Sequence, residues 1–233
     1  HTPTRRQRQM CIRDRLCKKL DCTLNDLCIT MVSESLNTYF AGIGEEVDGD
    51  LVIGLPMNIR DENDPDHGNK ITVAMVNSYS SRPILERLDL IKEQTSAAKN
   101  TRAGKNSDKK SESFDNIISS ISPIAIDLLM LLVDTVKPWK KMPIIGNTGL
   151  SNVPGPRVAV YFAGMPVNCS IPMVPIFPTV AIDFGVTSVG DIFSFGAYCC
   201  GDVVAEENLH YFIDGLNKAC LLYTSPSPRD QLQ

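Results

Sequence analysis

Apolar positions recur along this chain in two rhythms: a helical period in some segments, and short β-branched runs bounded by polar turns in others. Thr23-Leu24-Asn25-Asp26 sets a capping hydroxyl three residues ahead of a carboxylate, and Leu27, Met31, Leu36 and Phe40 follow at near-helical spacing. A helix over about 23–40 is predicted. "DLVIGLPMNI" (50–59) and "NKITVAMVNSY" (69–79) read as two strands joined by the polar loop "RDENDPDHG". In 82–99, Ile84, Leu85, Leu88 and Ile91 share one helical face, and the polar stretch that follows, about 100–113, is expected to be a flexible loop. The run 120–139, "SISPIAIDLLMLLVDTVKPW", is the most apolar of the chain, but Asp127 and Asp134 interrupt it and Pro138 ends it. It is too short and too charged to span a bilayer, and it is expected to be a core helix or, failing that, a helix resting on lipid. Beyond it come β-rich runs at 149–156, 157–164, 179–190 and 191–200, the last two meeting in a hairpin turn at Val189-Gly190-Asp191. A closing helix over 204–219 places Leu209, Phe212, Ile213 and Leu216 on one face. These elements define an α/β fold, a mixed β-sheet layered with helices and free of internal repeats.

Charge changes the picture only after the ends are understood. "RRQRQMCIRDR" (5–15) invites a reading as a basic arm for nucleic acid. Read back into codons, however, it resembles a transposase adapter of sequencing libraries, and "CLLYTSPSPRD" (220–230) resembles the partner adapter. Residues 1–15 and 220–233 are therefore expected to be adapter-derived and non-native. The natural segment is then 16–219, and the reading frame is expected to begin and stop inside a gene. The two ends hold six of the 23 basic and two of the 27 acidic residues, so 17 and 25 remain and the net charge moves from −4 to −8. An acidic body of this kind does not suit nucleic acid. About 200 residues suffice for one domain with a core. The remaining cysteines, at 17, 22, 28, 169, 199 and 200, form no C-x-x-C pair, and His67 and His210 are the remaining histidines. That composition favours reduced cysteines in an intracellular, cytoplasmic or peripherally membrane-bound protein, with no metal site. The sequon Asn168-Cys169-Ser170 is read as chance.

Several stretches tempt a chemical reading. Gly149-Leu150-Ser151-Asn152-Val153 approaches a nucleophile elbow, but Val153 stands where that turn requires glycine. Gly42-Ile43-Gly44 lacks the third glycine of a dinucleotide fingerprint and reads as a helix end. His67, among Asp64, Asp66 and Gly68, reads as part of an exposed loop rather than a metal site. In Ser151-Asn152-Val153-Pro154-Gly155-Pro156 the two prolines fix φ, and Gly155 permits a close backbone approach.

That last run, followed by an apolar strand and "AGMPV", resembles the C-terminal domain of the wax ester synthase/diacylglycerol acyltransferase family. "TLNDLCITMVSESL" resembles the family's Asn-Asp helix, and "VIGLPMNIRDENDPDHGNKI" its strand, acidic loop and Gly-Asn turn, here Gly68-Asn69. The resemblance covers nearly all of 22–219. One departure is Ile182-Asp183, where the family usually carries an Asn followed by an apolar residue.

The resemblance implies one half of a CoA-dependent acyltransferase-like two-domain fold. In that family a His-His-x-x-x-Asp-Gly motif of the N-terminal domain supplies the general base, the second His, which takes the proton of an alcohol as it attacks an acyl-CoA thioester. Here His210 to Gly215 spells only His-x-x-x-Asp-Gly, with Leu209 in place of the first His, on a predicted amphipathic helix far downstream; it is read as a lookalike. The expected function is thus that of a C-terminal fragment of an O-acyltransferase acting on a fatty alcohol or diacylglycerol, inactive alone. No cofactor is expected, acyl-CoA being a substrate. The expected partners are acyl-CoA, a long-chain alcohol or diacylglycerol, the missing N-terminal domain and a membrane or lipid-droplet surface. Asn25, Asp26, Gly68, Asn69, Ser151, Asn152, Pro154 and Gly155 are the candidates for the substrate channel or domain interface. The rival readings are a non-catalytic lipid-binding or membrane-docking module using 120–139, and a peptide-condensing or polyketide acyltransfer domain, against which the "SNVPGP" run counts.

Overall fold

The computed structural model describes residues 16–58, 71–103, 122, 127, 131–132, 135–137, 146–156, 158–176, 180–190 and 192–224. The chain divides into two units, one holding the segments up to Thr95 and from Gly146 onwards, the other Ser96–Ile145.

Helix α1, Leu24–Gly42, starts at a complete capping box: the Thr23 hydroxyl accepts the Asp26 N–H, and the Asp26 carboxylate accepts the Thr23 N–H at 2.8 Å. It ends on Ile43, whose N–H donates to the Tyr39 carbonyl, followed by Gly44 at φ +75°, so the glycines there do close a helix. From Asp26 to Leu36 the helix is buried on every side. Its small polar residues fit such a site because each hydroxyl finds a carbonyl: Thr30 donates to Asp26, Ser33 to Ser78 and Ser35 to Phe212, at 2.7–2.8 Å.

Among the described residues a five-stranded sheet runs in the order β2 (Ile71–Asn77), β1 (Val52–Asn58), β3 (Thr148–Val153), β6 (Ile182–Val189), β7 (Ile192–Cys199). β1 (Val52–Asn58) and β2 (Ile71–Asn77) are antiparallel, with Val52 opposite Asn77. Helix α2, Ile84–Ala103, leads away from β2, so residues 100–103 of the expected loop are still helical; 104–113 lie outside the described residues. β3 (Thr148–Val153) joins β1 in parallel at Ile53–Thr148 and Gly54–Gly149, and lies parallel to β6 (Ile182–Val189) from Gly149–Asp183 to Val153–Thr187. β6 turns back through Gly190, at φ +56°, into antiparallel β7 (Ile192–Cys199). Between β3 and β6, β4 (Tyr161–Phe162) and β5 (Met165–Pro166) form a separate two-stranded hairpin. The mixed sheet and its helices match the predicted fold class.

Ile53, Leu55, Leu150, Phe184 and Val186 point from the sheet into the core, and α3 (Leu209–Thr224) packs there beside α1. Tyr39 stacks on Phe212 with ring centroids 4.1 Å apart, and Phe184 meets Phe212 edge-on. The closing helix departs from the predicted face. Phe212 is buried, but Leu209 and Ile213 are 37% and 59% exposed. The stripe is recentred on Gly215, where a Cβ would come within 2.5 Å of the Ser35 Cα. Close approach of the two backbones at Gly215, together with burial of Phe212 and packing of Leu216 on the core, sets the face that α3 turns to α1.

The second unit also departs from expectation. Among its described residues, Leu131, Leu132 and Val136 of the apolar run are helical and 58–65% exposed, with Asp127 exposed beside them. These side chains are not in a core.

Candidate functional site at the Ser-Asn-Val-Pro-Gly-Pro strand

β3 carries the first three residues of the run, and strand alternation sends them to opposite faces. Asn152 shares the helix-covered face with Leu150. Its Nδ2 donates to Asn25 Oδ1 at 2.6 Å, across 127 residues of sequence. Two of the sequence-predicted candidates are thereby fastened to each other, the strand to the first turn of α1. Asp26, one residue on, is turned inward and 3% exposed, accepting from the Thr95 hydroxyl at 2.7 Å as well as closing the cap. It ties α1 to α2 and has no open face.

Ser151 faces the other way, half-buried opposite Gly185 in mid-strand. It does not stand on a strand-to-helix turn, so the elbow geometry is absent. Pro154 is exposed and Gly155 half-buried. A Cβ on Gly155 would overlap the carbonyl oxygen of Ser188, and the Gly190 N–H donates to the Pro156 carbonyl at 2.9 Å. The close approach that glycine permits is therefore made to the β6–β7 hairpin of the same chain. Gly68 and Asn69 lie outside the described residues, as does His67.

Sequence reasoning singled out Asp183 only as a departure from a pattern. Its carboxylate, 3% exposed on the face shared with Ser151, accepts the Gly149 N–H at 2.5 Å, while the Thr148 hydroxyl donates to the Ile182 carbonyl at 2.7 Å. Side chains thus replace main-chain bonds where the β3–β6 ladder opens. Burial pushes the Asp183 carboxyl above its ordinary range, and the Gly149 N–H opposes that only in part. Gly149 itself leaves the room: a Cβ there would stand 2.8 Å from Asp183 Oδ1. Farther along β6, Pro172 and Val174 lie over Gly185, and the Tyr198 hydroxyl donates to the Pro172 carbonyl.

The remaining titratable side chains limit the chemistry. His210 is exposed on the first turn of α3, its Nδ1 paired at 2.7 Å with the Glu207 carbonyl and its ring tilted on Tyr211, and Asp214 is likewise exposed. The His-x-x-x-Asp-Gly spelling is a piece of surface helix whose glycine packs on α1. The Cys22 thiol is pushed up to about 12, chiefly by burial and then by Cys17 and Asp26, and burial takes Cys199 to about 11. Both stay protonated at neutral pH, the unreactive form. Among the described residues no three His, Cys, Asp or Glu side chains are placed to hold a metal ion. Nor is any helix there long and apolar enough to cross a membrane.

A mixed sheet with two helices on one face, its β3 strand pinned to a buried helix start, is half of a known two-lobed architecture. The solved wax ester synthase/diacylglycerol acyltransferase from Marinobacter aquaeolei VT8 superposes with a TM-score of 0.63 over 91% of this chain and 47% of that one, at 22% identity. The first condensation domain of the CDA synthetase gives a TM-score of 0.53 over 96% of this chain and 45% of that one, at 11% identity. The family model described as WS/DGAT C-terminal domain matches residues 67–219, and this chain belongs to that family. Among curated relatives, the Mycobacterium tuberculosis protein named Probable diacylglycerol O-acyltransferase Tgs4 is 26% identical over 204 residues, and the O-acyltransferase WSD of Acinetobacter baylyi is 24% identical over 187. These alignments take in 84% and 79% of this chain but 38% of each relative, so the chain spans well under half the length of the proteins it matches.

Proposed function

We propose that this chain is the C-terminal lobe of an acyl-CoA:alcohol O-acyltransferase that makes wax esters or triacylglycerols, and that it forms one wall of the substrate cleft. The observation that carries this reading is the Asn25–Asn152 bond, which joins two of the three family-like segments at one point of the fold. The names of the relatives support the chemistry. In the reaction, the alcohol oxygen bonds to the thioester carbonyl carbon, the C–S bond breaks, and the alcohol proton passes through a base to the departing thiolate. That base is the second His of the motif expected in the N-terminal lobe; exposed His210, held to the Glu207 carbonyl, is not placed for the role. Acyl-CoA is a substrate and no further cofactor takes part; Asn152, bonded to Asn25, fixes β3 as the cleft wall, and Ser151, on the opposite face of the strand, orients the pantetheine arm or the carbonyl oxygen. The N-terminal lobe is the obligatory partner, and the protein works inside the cell, in the cytoplasm or against a membrane.

The chain alone, given a fatty acyl-CoA and a fatty alcohol, is expected to form no ester above background. Ester formation by the isolated chain would overturn the reading and return His210 to candidacy. With the N-terminal lobe supplied, Asn152→Ala should lower turnover by roughly tenfold or more through misplacement of substrate. The same change should cost only about 1 kcal/mol of stability for the lost bond. Normal turnover with a larger loss of stability would show the residue to be purely structural.

A second reading has its own observation. The exposed Leu131, Leu132 and Val136 suit a helix lying on lipid, as a membrane-docking module without catalysis would use. Liposome flotation of the chain, paired with an acyl-transfer assay of the two-lobed protein, separates the two: tight flotation with no transfer favours docking alone.

A further inference from the structure

A short helical turn, 16–19, precedes α1 and ends in a bend. The Asp21 N–H donates to the Lys18 carbonyl at 3.3 Å, the Cys22 N–H donates to the Cys17 carbonyl at 2.9 Å, and Asp21 lies at φ +47°. These are the paired bonds of a Schellman cap, with Asp21 in its left-handed position. Such a cap brings together the side chains of the two residues joined by its longer bond, and ordinarily both are apolar.

Here both are cysteines. They are reduced and half-buried, and their side chains are hydrogen-bonded to each other. Both pack on the cluster of Leu27, Met31, Leu88 and Ala219, and Lys92 of α2 holds the bend by donating to the Leu20 carbonyl at 3.2 Å. The main-chain bond between the same two residues also limits their separation: standard backbone lengths on either side of it hold the Cα atoms within about 6.8 Å. That lies inside the reach of a disulfide.

We propose that Cys17 and Cys22 are a dithiol modification site, closed to an intramolecular disulfide by a small soluble disulfide of the glutathione type and reopened by the corresponding thiol. The Cys17 thiolate attacks one sulfur of the small disulfide, whose S–S bond breaks, and the departing half takes up the proton that Cys17 gave up. Cys22 then displaces the second half from Cys17 in the same way. Two protons and two electrons leave the protein, and the small disulfide is reduced to two thiols. Cys17 acts first, because burial, reinforced by Cys17 and then Asp26, pushes the Cys22 thiol up to about 12. Once Cys17 is capped, its part in holding that proton is gone, and contact with the mixed disulfide favours the second displacement. The new bond staples the bend directly ahead of the Thr23 cap, at the entry to the helix whose first turn is fastened to β3. The inference is independent of the acyl-transfer reading, since this chain carries both sulfurs.

The test incubates the folded chain with excess glutathione disulfide, blocks remaining thiols with a maleimide and digests with trypsin. Cleavage after Lys18 or Lys19 separates the two cysteines, so a bridge is read by mass spectrometry as two linked peptides. A Cys17–Cys22 bridge is expected as the main product, reversed by reduced glutathione, lost in Cys17→Ser and Cys22→Ser, and unchanged in Cys169→Ser. Cys22 in the Cys17→Ser chain should take up glutathione at least roughly tenfold more slowly than Cys17 in the Cys22→Ser chain. Asp21→Gly keeps the left-handed bend and the rate of closure, whereas Asp21→Val strains the bend and should slow closure roughly tenfold. Absence of the bridge, a stable glutathione adduct on Cys17 beside an unreacted Cys22, closure onto Cys28 or Cys169 instead, or equal rates in the two Asp21 variants would each overturn the proposal.

Discussion

Two neighbouring stretches of this chain obey opposite rules. From Thr148 to Pro156 the backbone is fastened, and its partner, the start of α1, buries Asp26, Thr30, Ser33, Glu34 and Ser35. Immediately after it, residues 158–176 contain no charged residue, yet Val158, Tyr161, Phe162, Met165, Ile171 and Met173 are 65–86% exposed. Polar groups are buried where each has a partner, and apolar groups are exposed where nothing in the described residues covers them. The contrast shows that the sheet–helix layer is internally complete, whereas the β4–β5 hairpin presents the kind of surface that marks an interaction site.

The largest effect should follow from opening the fastened region. Phe212→Ala removes the ring on which Tyr39 stacks and Phe184 abuts, and should cost about 3–5 kcal/mol in denaturant unfolding. A loss below about 1 kcal/mol would mean that α3 is not part of the core. Gly155→Ala comes next. The new methyl collides with the Ser188 carbonyl, backbone against backbone, so a loss near the top of the roughly 1–3 kcal/mol range of overpacking is expected from thermal melts. A neutral result would place the Pro-Gly-Pro turn clear of the β6–β7 hairpin.

Asp183→Asn sharpens the comparison through pH. Burial raises the folded carboxyl above its ordinary value of 3.8. Its unfavourable contribution is therefore absent below about that pH, grows as pH rises towards the folded value, and is fully present above it. The amide keeps an oxygen for the Gly149 N–H and carries no charge. The variant should match the parent in acid and exceed it at pH 7, and a constant difference across that interval would argue against a buried ionisable Asp183. The smallest effect belongs to the hairpin. Phe162→Ser should change stability by less than about 0.5 kcal/mol while lowering the binding of a hydrophobic dye to the chain alone. A substantial loss of stability there would mean that the hairpin is internally packed after all.

The sequence made much of the fold legible because periodicity and capping act locally. Thr23 and Asp26 located the start of α1, and alternation with β-branching located β1, β2, β6 and β7. The errors arose where a neighbour decides. Leu209 and Ile213 have core-forming side chains, but Gly215 lets α3 approach Ser35 on an adjacent stripe. The run 120–139 is the most apolar, yet its described leucines face outward. At the candidate site, the resemblance selected Asn25 and Asn152 separately, and only the fold shows them bonded to each other. The Glu34–Arg87–Lys218 network left only a faint trace, one acid inside the apolar stretch "ITMVSESL", because no local rule links positions 34, 87 and 218.

The amino-acid order by itself determined the family, the α/β class, and the order and type of its main elements, since each of these rests on patterns a few residues long. The tertiary structure decided which polar groups are buried, which apolar ones are not, and which way each helix turns. Those outcomes depend on partners tens to more than a hundred residues away, brought within bonding distance only when the sheet and its helices close on one another.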